Sequence, residues 1–168
     1  MKSKLIYLLS LAVIFAFLMP ALANAQAKAN FSGTWAFNAE KSELPQGGGG
    51  GGGGNFGGRM GGGDFTVTQD ANTLTRTREG QNGPTSTKYS LDGKETVNST
   101  GRGDSKSTAK WSSDGKSLTI ATTSNFNGNE RTTTEVWTLV DAKTLSISST
   151  RPGRDGGSTT TKMVYDKK

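Results

Sequence analysis

Residues 118–148 read LTIATTSNFNGNERTTTEVWTLVDAKTLSIS. Leu118, Ile120, Thr122, Ser124 and Phe126 alternate with their neighbours, so in an extended chain they share one face. Asn127-Gly128 supplies the left-handed backbone that a tight hairpin turn requires. The chain resumes as a second extended run over residues 131–140. Asp141-Ala142-Lys143 then turns it into a third, Leu145 to Ser148. No helical period is sustained, and the abundant Thr is β-branched and suited to a pleated surface. This stretch therefore predicts an antiparallel meander.

The same pattern extends in both directions. Downstream, a loop at Pro152–Gly157 precedes a last strand over 159–165. Upstream, strands are predicted over 106–111, 96–100, 85–90, 74–78 and 65–68. Their turns fall at Ser113-Asp114-Gly115, Gly101–Asp104, Asp92-Gly93, Glu79–Pro84 and Asp70-Ala71-Asn72. A first strand covers 31–38, and 39–44 reads as a turn or a single helical turn. Between it and the rest lies Gly47–Gly63, with 13 glycines in 17 residues, a flexible Gly-rich loop. As a random coil it spans roughly 20–25 Å. It lacks the Gly-Lys-Ser/Thr ending of a phosphate loop and the proline period of collagen. Ten strands joined mostly by short turns favour an all-β, antiparallel up-and-down barrel, since closure removes exposed edges. A β-sandwich is the alternative.

Residues 1–25 have the anatomy of a signal peptide: Lys2 and Lys4, an apolar run from Leu5 to Met19, and small residues through Ala25. Cleavage after Ala25 would leave 26–168 as one domain, secreted or periplasmic and no longer membrane-spanning. An outer-membrane barrel would need an apolar outer band, and these strands present Thr, Ser and Lys. Only 33 of those 143 residues are apolar, against 23 Thr and 15 Ser. Much of the interior must therefore be Thr, Ser or empty space.

The 168-residue chain has neither His nor Cys. That excludes a Ser-His-Asp triad, a thiol nucleophile, a disulfide scaffold and thiolate metal sites. The carboxylates show no spacing of a catalytic pair or a calcium loop. No enzyme, metal or cofactor is indicated. Net charge is +6, of which the leader carries two; the basic residues do not cluster, so no nucleic-acid partner is expected. Arg102-Gly103-Asp104 in a predicted turn is a coincidence of turn composition. Arg76 and Arg78 alternate on one strand face. Facing inward they would meet an anionic head group; facing outward they would be solvated. Trp111 and Trp137 either line a cavity or pack structurally. Val136, Leu139 and Val140 make one strand apolar on both faces, which calls for a cover on its outer side.

The first strand carries Gly33-Thr34-Trp35. Lys41-Ser42, Leu91-Asp92-Gly93-Lys94, Ser113-Asp114-Gly115-Lys116 and Val164-Tyr165-Asp166 follow in order. This series resembles small exported bacterial lipocalin-like proteins, barrels of the calycin type. The likeness spans nearly the whole chain beyond the leader, outside the Gly tract. It implies that Trp35, beside Gly33, plugs the closed end of the barrel with a cation over its indole. Arg151 is the first choice for that cation and Lys162 the second. It further implies a non-enzymatic binder of a small amphipathic ligand, lined by Arg76, Trp111, Trp137 and Tyr165. The ten strands and the long first connection resemble the fatty-acid-binding branch, whose helical lid polyglycine cannot form. The alternative function is a structural or protein-interaction module of the cell envelope.

Overall fold

The computed structural model describes residues 27–43, 62–100, 103–126, 128–153 and 156–168. The leader, 47–61 of the Gly tract and Arg102 lie outside the described residues. Ten strands follow one another: β1 (Gly33–Glu43), β2 (Phe65–Gln69), β3 (Thr73–Gly80), β4 (Gly83–Ser90), β5 (Thr96–Thr100), β6 (Gly103–Trp111), β7 (Ser117–Phe126), β8 (Asn129–Asp141), β9 (Thr144–Pro152) and β10 (Ser158–Lys167). They form one antiparallel sheet in the order β4-β3-β2-β1-β10-β9-β8-β7-β6-β5. No helix occurs among the described residues. The sheet curls into a nearly closed barrel, so the sandwich alternative falls.

The two end strands, β4 and β5, share no backbone ladder. Side chains bridge the seam instead. The Asn98 amide accepts from Lys88 N at 2.8 Å and donates to Lys88 O at 2.9 Å. Beside it, Ser90 N donates to Thr96 Oγ1 at 3.0 Å. Asn98 thus satisfies both backbone groups that a neighbouring strand would have satisfied.

Three local expectations change. Glu79–Pro84 is not an open loop, because Glu79 pairs with Pro84 and Gly80 with Gly83, leaving a two-residue turn. Gly83 there has φ +96°, which only glycine adopts without strain. Residues 39–43 remain in β1 as a bulge, where the register against β10 shifts between Asn38 and Glu43. Ser42 Oγ donates to Asn38 O and accepts from Val164 N, so a hydroxyl replaces the missing ladder partner. Gly103 and Asp104 belong to β6, with Gly103 paired to Thr100.

Alternation sorts the barrel wall into two faces. Inward stand Phe65 and Val67, Leu74, Tyr89, Ala109, Leu118 and Ile120, Trp137, Leu145 and Ile147, Met163 and Tyr165, all buried. The N-terminal segment crosses the lower end and seals it. Gln69 holds it from both sides, accepting from Phe31 N and donating to Ala29 O at 2.9 Å each. Ala29 N also donates to Gly115 O in the β6–β7 turn. Phe31 stacks on Trp111 and meets Trp137 edge-on, both at 5.8 Å between ring centres. Trp35 Nε1 donates to Phe31 O at 2.9 Å. Lys167 Nζ sits 5.4 Å from the Trp35 ring centre. Gly33 makes room for it, since a Cβ there would lie 2.5 Å from Lys167 Cε.

Candidate functional site

Above this aromatic floor the interior turns polar. On β3 the buried Leu74 fixes the face, and Arg76 and Arg78 follow it at period two, so both point inward. On β8, Trp137 fixes the face and Glu135 follows. The two charges meet: Arg76 Nη1 lies 3.1 Å from Glu135 Oε2 and 3.4 Å from Oε1. Arg76 Nη2 donates to the Tyr89 hydroxyl at 3.0 Å. Trp137 Nε1 donates to Glu135 Oε2, also at 3.0 Å. The guanidinium also lies over the rings of Trp137 and Tyr89, 5.5 and 5.9 Å from their centres. The side chains of the pair keep only 16% and 19% of their surface exposed.

Burial works most strongly on the Arg76 charge and against it, but Glu135, Tyr89 and Tyr165 together outweigh it, and its pKa lies above the ordinary arginine value. Arg78 differs. Its guanidinium lies over the Phe65 ring at 5.4 Å and hydrogen-bonds to the Tyr165 hydroxyl. Among the described residues it has no ion pair. Burial first, and the neighbouring Arg76 charge second, push its pKa down. Burial raises both Tyr89 and Tyr165, with the arginines pulling the other way. At neutral pH the arginines are cations and both phenols are neutral.

Two spaces adjoin the group. A cavity of about 260 Å³ is lined by Arg76, Thr87, Tyr89, Ser105, Thr122, Thr133 and Glu135. The second, about 440 Å³, lies at the edge of the wall, where the outward Thr34, Thr66 and Thr77 line it beside Asp64, Phe65, Arg78, Glu79 and Lys168. It arises where β2 begins at Phe65 while β3, paired to it, continues past Arg78 to Gly80. The wall is one strand short there, beside a cation.

Of the residues singled out from sequence, Arg76 and Trp137 are brought together at the ion pair. Tyr165 is buried on Phe65, with ring centres 4.8 Å apart. Trp111 belongs to the floor, stacked on Phe31, and does not line the space at Arg76. Gly33 and Trp35 are at the closed end. Arg151 is not: it is exposed and pairs with Thr159, six residues along β9 from buried Leu145. Lys162 points outward to Glu43 at 3.2 Å. The cation over Trp35 is Lys167, directly opposite it in the β1–β10 register. Glu135, Tyr89 and Phe65 were not legible as site residues. The signal for Tyr89 was its shared parity with apolar Leu91. On the strand expected to need a cover, Leu139 packs on the core and Val140 is 65% exposed. Among the described residues no group of three or more acidic side chains could hold a metal ion.

No protein-family model matches the chain, and no curated protein does. Solved structures do. A fatty acid transporter, REP1-NXSQ, matches with a TM-score of 0.55 at 12% identity, covering 82% of this chain and 95% of that one. The wild-type fluorescent protein UnaG matches at 0.53 and 19% identity, covering 82% and 97%. A fatty acid-binding protein from brain tissue of Drosophila melanogaster matches at 0.52 and 22% identity, covering 82% and 99%. At these identities the likeness shows the fold alone, an antiparallel β-barrel.

Proposed function

We propose that the protein is a non-enzymatic carrier that binds a small anionic, amphipathic ligand inside its barrel, with the anion at Arg78. One observation carries this reading. Among the described residues the inward faces hold two guanidinium groups and one carboxylate, which is engaged with Arg76, while Asp64 at the edge of the wall is paired with Lys168. A half-buried cation without an ion-pair partner is costly, and a ligand carboxylate would relieve the cost with a charge-assisted, bidentate hydrogen bond. Tyr165 and Phe65 would pack beside the group, and the gap next to β2 would admit it. The fold likeness to a fatty acid transporter and a fatty acid-binding protein agrees with a carrier role.

Isothermal titration with a series of monocarboxylates tests the reading. Arg78→Met is expected to weaken binding by about tenfold or more, the scale of one lost charge-assisted contact. Undiminished affinity in that variant would remove Arg78 from the site. Export belongs to the same reading: residues 1–25 act as a cleaved leader and deliver the carrier to the periplasm or the medium. Mass spectrometry of the exported protein should find Gln26 at its N-terminus. An intact Met1 in that fraction would contradict it.

The second reading, an envelope interaction module, has one observation in its favour. The outward residues Ser117–Asn125 on β7, Thr132–Val140 on β8 and Thr144–Thr150 on β9 are Ser, Thr, Asn, Ala and Val, without a charge. Sedimentation of Val140→Lys against wild type tests it, since only a surface used in association would respond.

A further inference from the structure

We infer that the body of this ligand is hydroxyl-rich, a small polyol carboxylate of the sugar-acid type, held in the cavity between Arg76, Tyr89 and Glu135, with its carboxylate reaching Arg78, which stands outside that lining two residues along the same face of β3. The inference rests on the anion-carrier reading and narrows its ligand class. Four of the seven residues lining that cavity are Ser or Thr, and the other three are Arg, Tyr and Glu. An alkyl chain laid there would strip water from all of them and return nothing, which is unfavourable for each buried polar group. A polyol offers both donors and acceptors at every carbon.

The hydrogen-bonding capacity is open on both sides. Glu135 Oε2 already accepts from Arg76 and from Trp137, whereas Oε1 has only the long 3.4 Å approach of Arg76. Oε1 can therefore accept from a ligand hydroxyl. The buried Tyr89 oxygen accepts from Arg76, and its own proton has no acceptor among the described residues. The hydroxyls of Thr87 and Thr133 likewise make no side-chain hydrogen bond there. Thr122 and Ser105 are partly engaged, with Ser107 and with Asn98 O. Size points the same way. The 260 Å³ suits a short polyol and not a long hydrocarbon.

The test is a titration of the full exported chain with gluconate and, separately, with octanoate. Gluconate should bind at least about tenfold tighter. Thr133→Val, which keeps the volume and removes the hydroxyl, should shrink that ratio severalfold, and Thr133→Ser should retain it. Thermal melts of both variants verify folding. Octanoate binding as tightly as gluconate or tighter would overturn the inference while leaving the anion site at Arg78 intact. Gluconate preference unchanged by Thr133→Val, in a folded variant, would also overturn it by removing this cavity from the recognition. Binding of neither carboxylate would overturn both the inference and the carrier reading beneath it.

Discussion

The Arg76–Glu135 pair lends itself to a double-mutant cycle in which the singles cost more than the double. Glu135→Gln leaves a guanidinium in the interior without a countercharge, while the amide oxygen can still accept from Trp137 Nε1 and Arg76. Arg76→Met leaves a carboxylate there with no cation against it. Breaking one partner of a fully buried pair costs about 3–5 kcal/mol, because the survivor stays charged and desolvated. The pair retains 16% and 19% exposure, so screening trims each single to about 2–4 kcal/mol. In a domain of this size that lowers Tm by roughly 5–15 °C. The double variant Arg76→Met with Glu135→Gln removes both charges and keeps the Trp137 hydrogen bond. It should be more stable than either single, with a coupling energy of about 2 kcal/mol or more. Urea melts followed by tryptophan fluorescence supply all four corners, and Trp137 reports on the site itself. Additivity of the two singles to within about 0.5 kcal/mol would refute the argument, since independent sites add and coupled ones do not.

Phe31→Ala should cost about 3–5 kcal/mol, because it empties the floor between Trp111 and Trp137; a fluorescence red shift in the folded state would mark water reaching them. Asn98→Ala should open the β4–β5 seam and speed hydrogen exchange at the Lys88 amide severalfold, while exchange unchanged at that amide would mean the seam closes without it. Gly33→Ala should cost about 1–3 kcal/mol by chemical denaturation, since φ +141° is strained for any side chain, although Lys167 can swing clear of the new methyl. Asp64, beside Lys168 and Phe37 N, and Asp166, beside Lys41 and Asn38, both titrate below the ordinary carboxylate value. Their unfolded pKa lies near 3.9, so their contribution is present above that pH and is lost as the pH falls below it. Tm should hold from pH 7 to about 5 and drop below 4, and Asp64→Asn should flatten the drop.

Period two explains both what the sequence disclosed and what it withheld. Most of the ten strands were bounded by turn residues whose backbone chemistry is local, Asp92-Gly93 and Asn127-Gly128 above all, so the meander could be read without tertiary information, while barrel and sandwich both stayed open. The direction of Arg76 and Arg78 was also legible in principle. Leu74 shares their face and is apolar, which turns the pair inward; weighing the arginines by charge alone concealed it. Glu135 had no such cue. Its strand carries Trp137 and Leu139 on one face and Val136 and Val140 on the other, so apolarity could not say which face was the core. Only the pairing with β7, which places Trp137 beside buried Leu118, decides that. The cation over Trp35 depended on register even more strongly. Lys167 is close to the chain end, and nothing local ties it to residue 35. It meets the indole because β10 closes onto β1 at Trp35 and Lys167. Asn98 left a fainter trace, an amide side chain of poor β-propensity in the middle of a strand. That choice becomes intelligible once β5 is known to lack a ladder on one side. Glu135 and Lys167 were therefore missed because their role is created by a pairing between distant strands, whereas Arg76, Arg78 and Tyr89 stand beside apolar residues of their own segment that reveal their face.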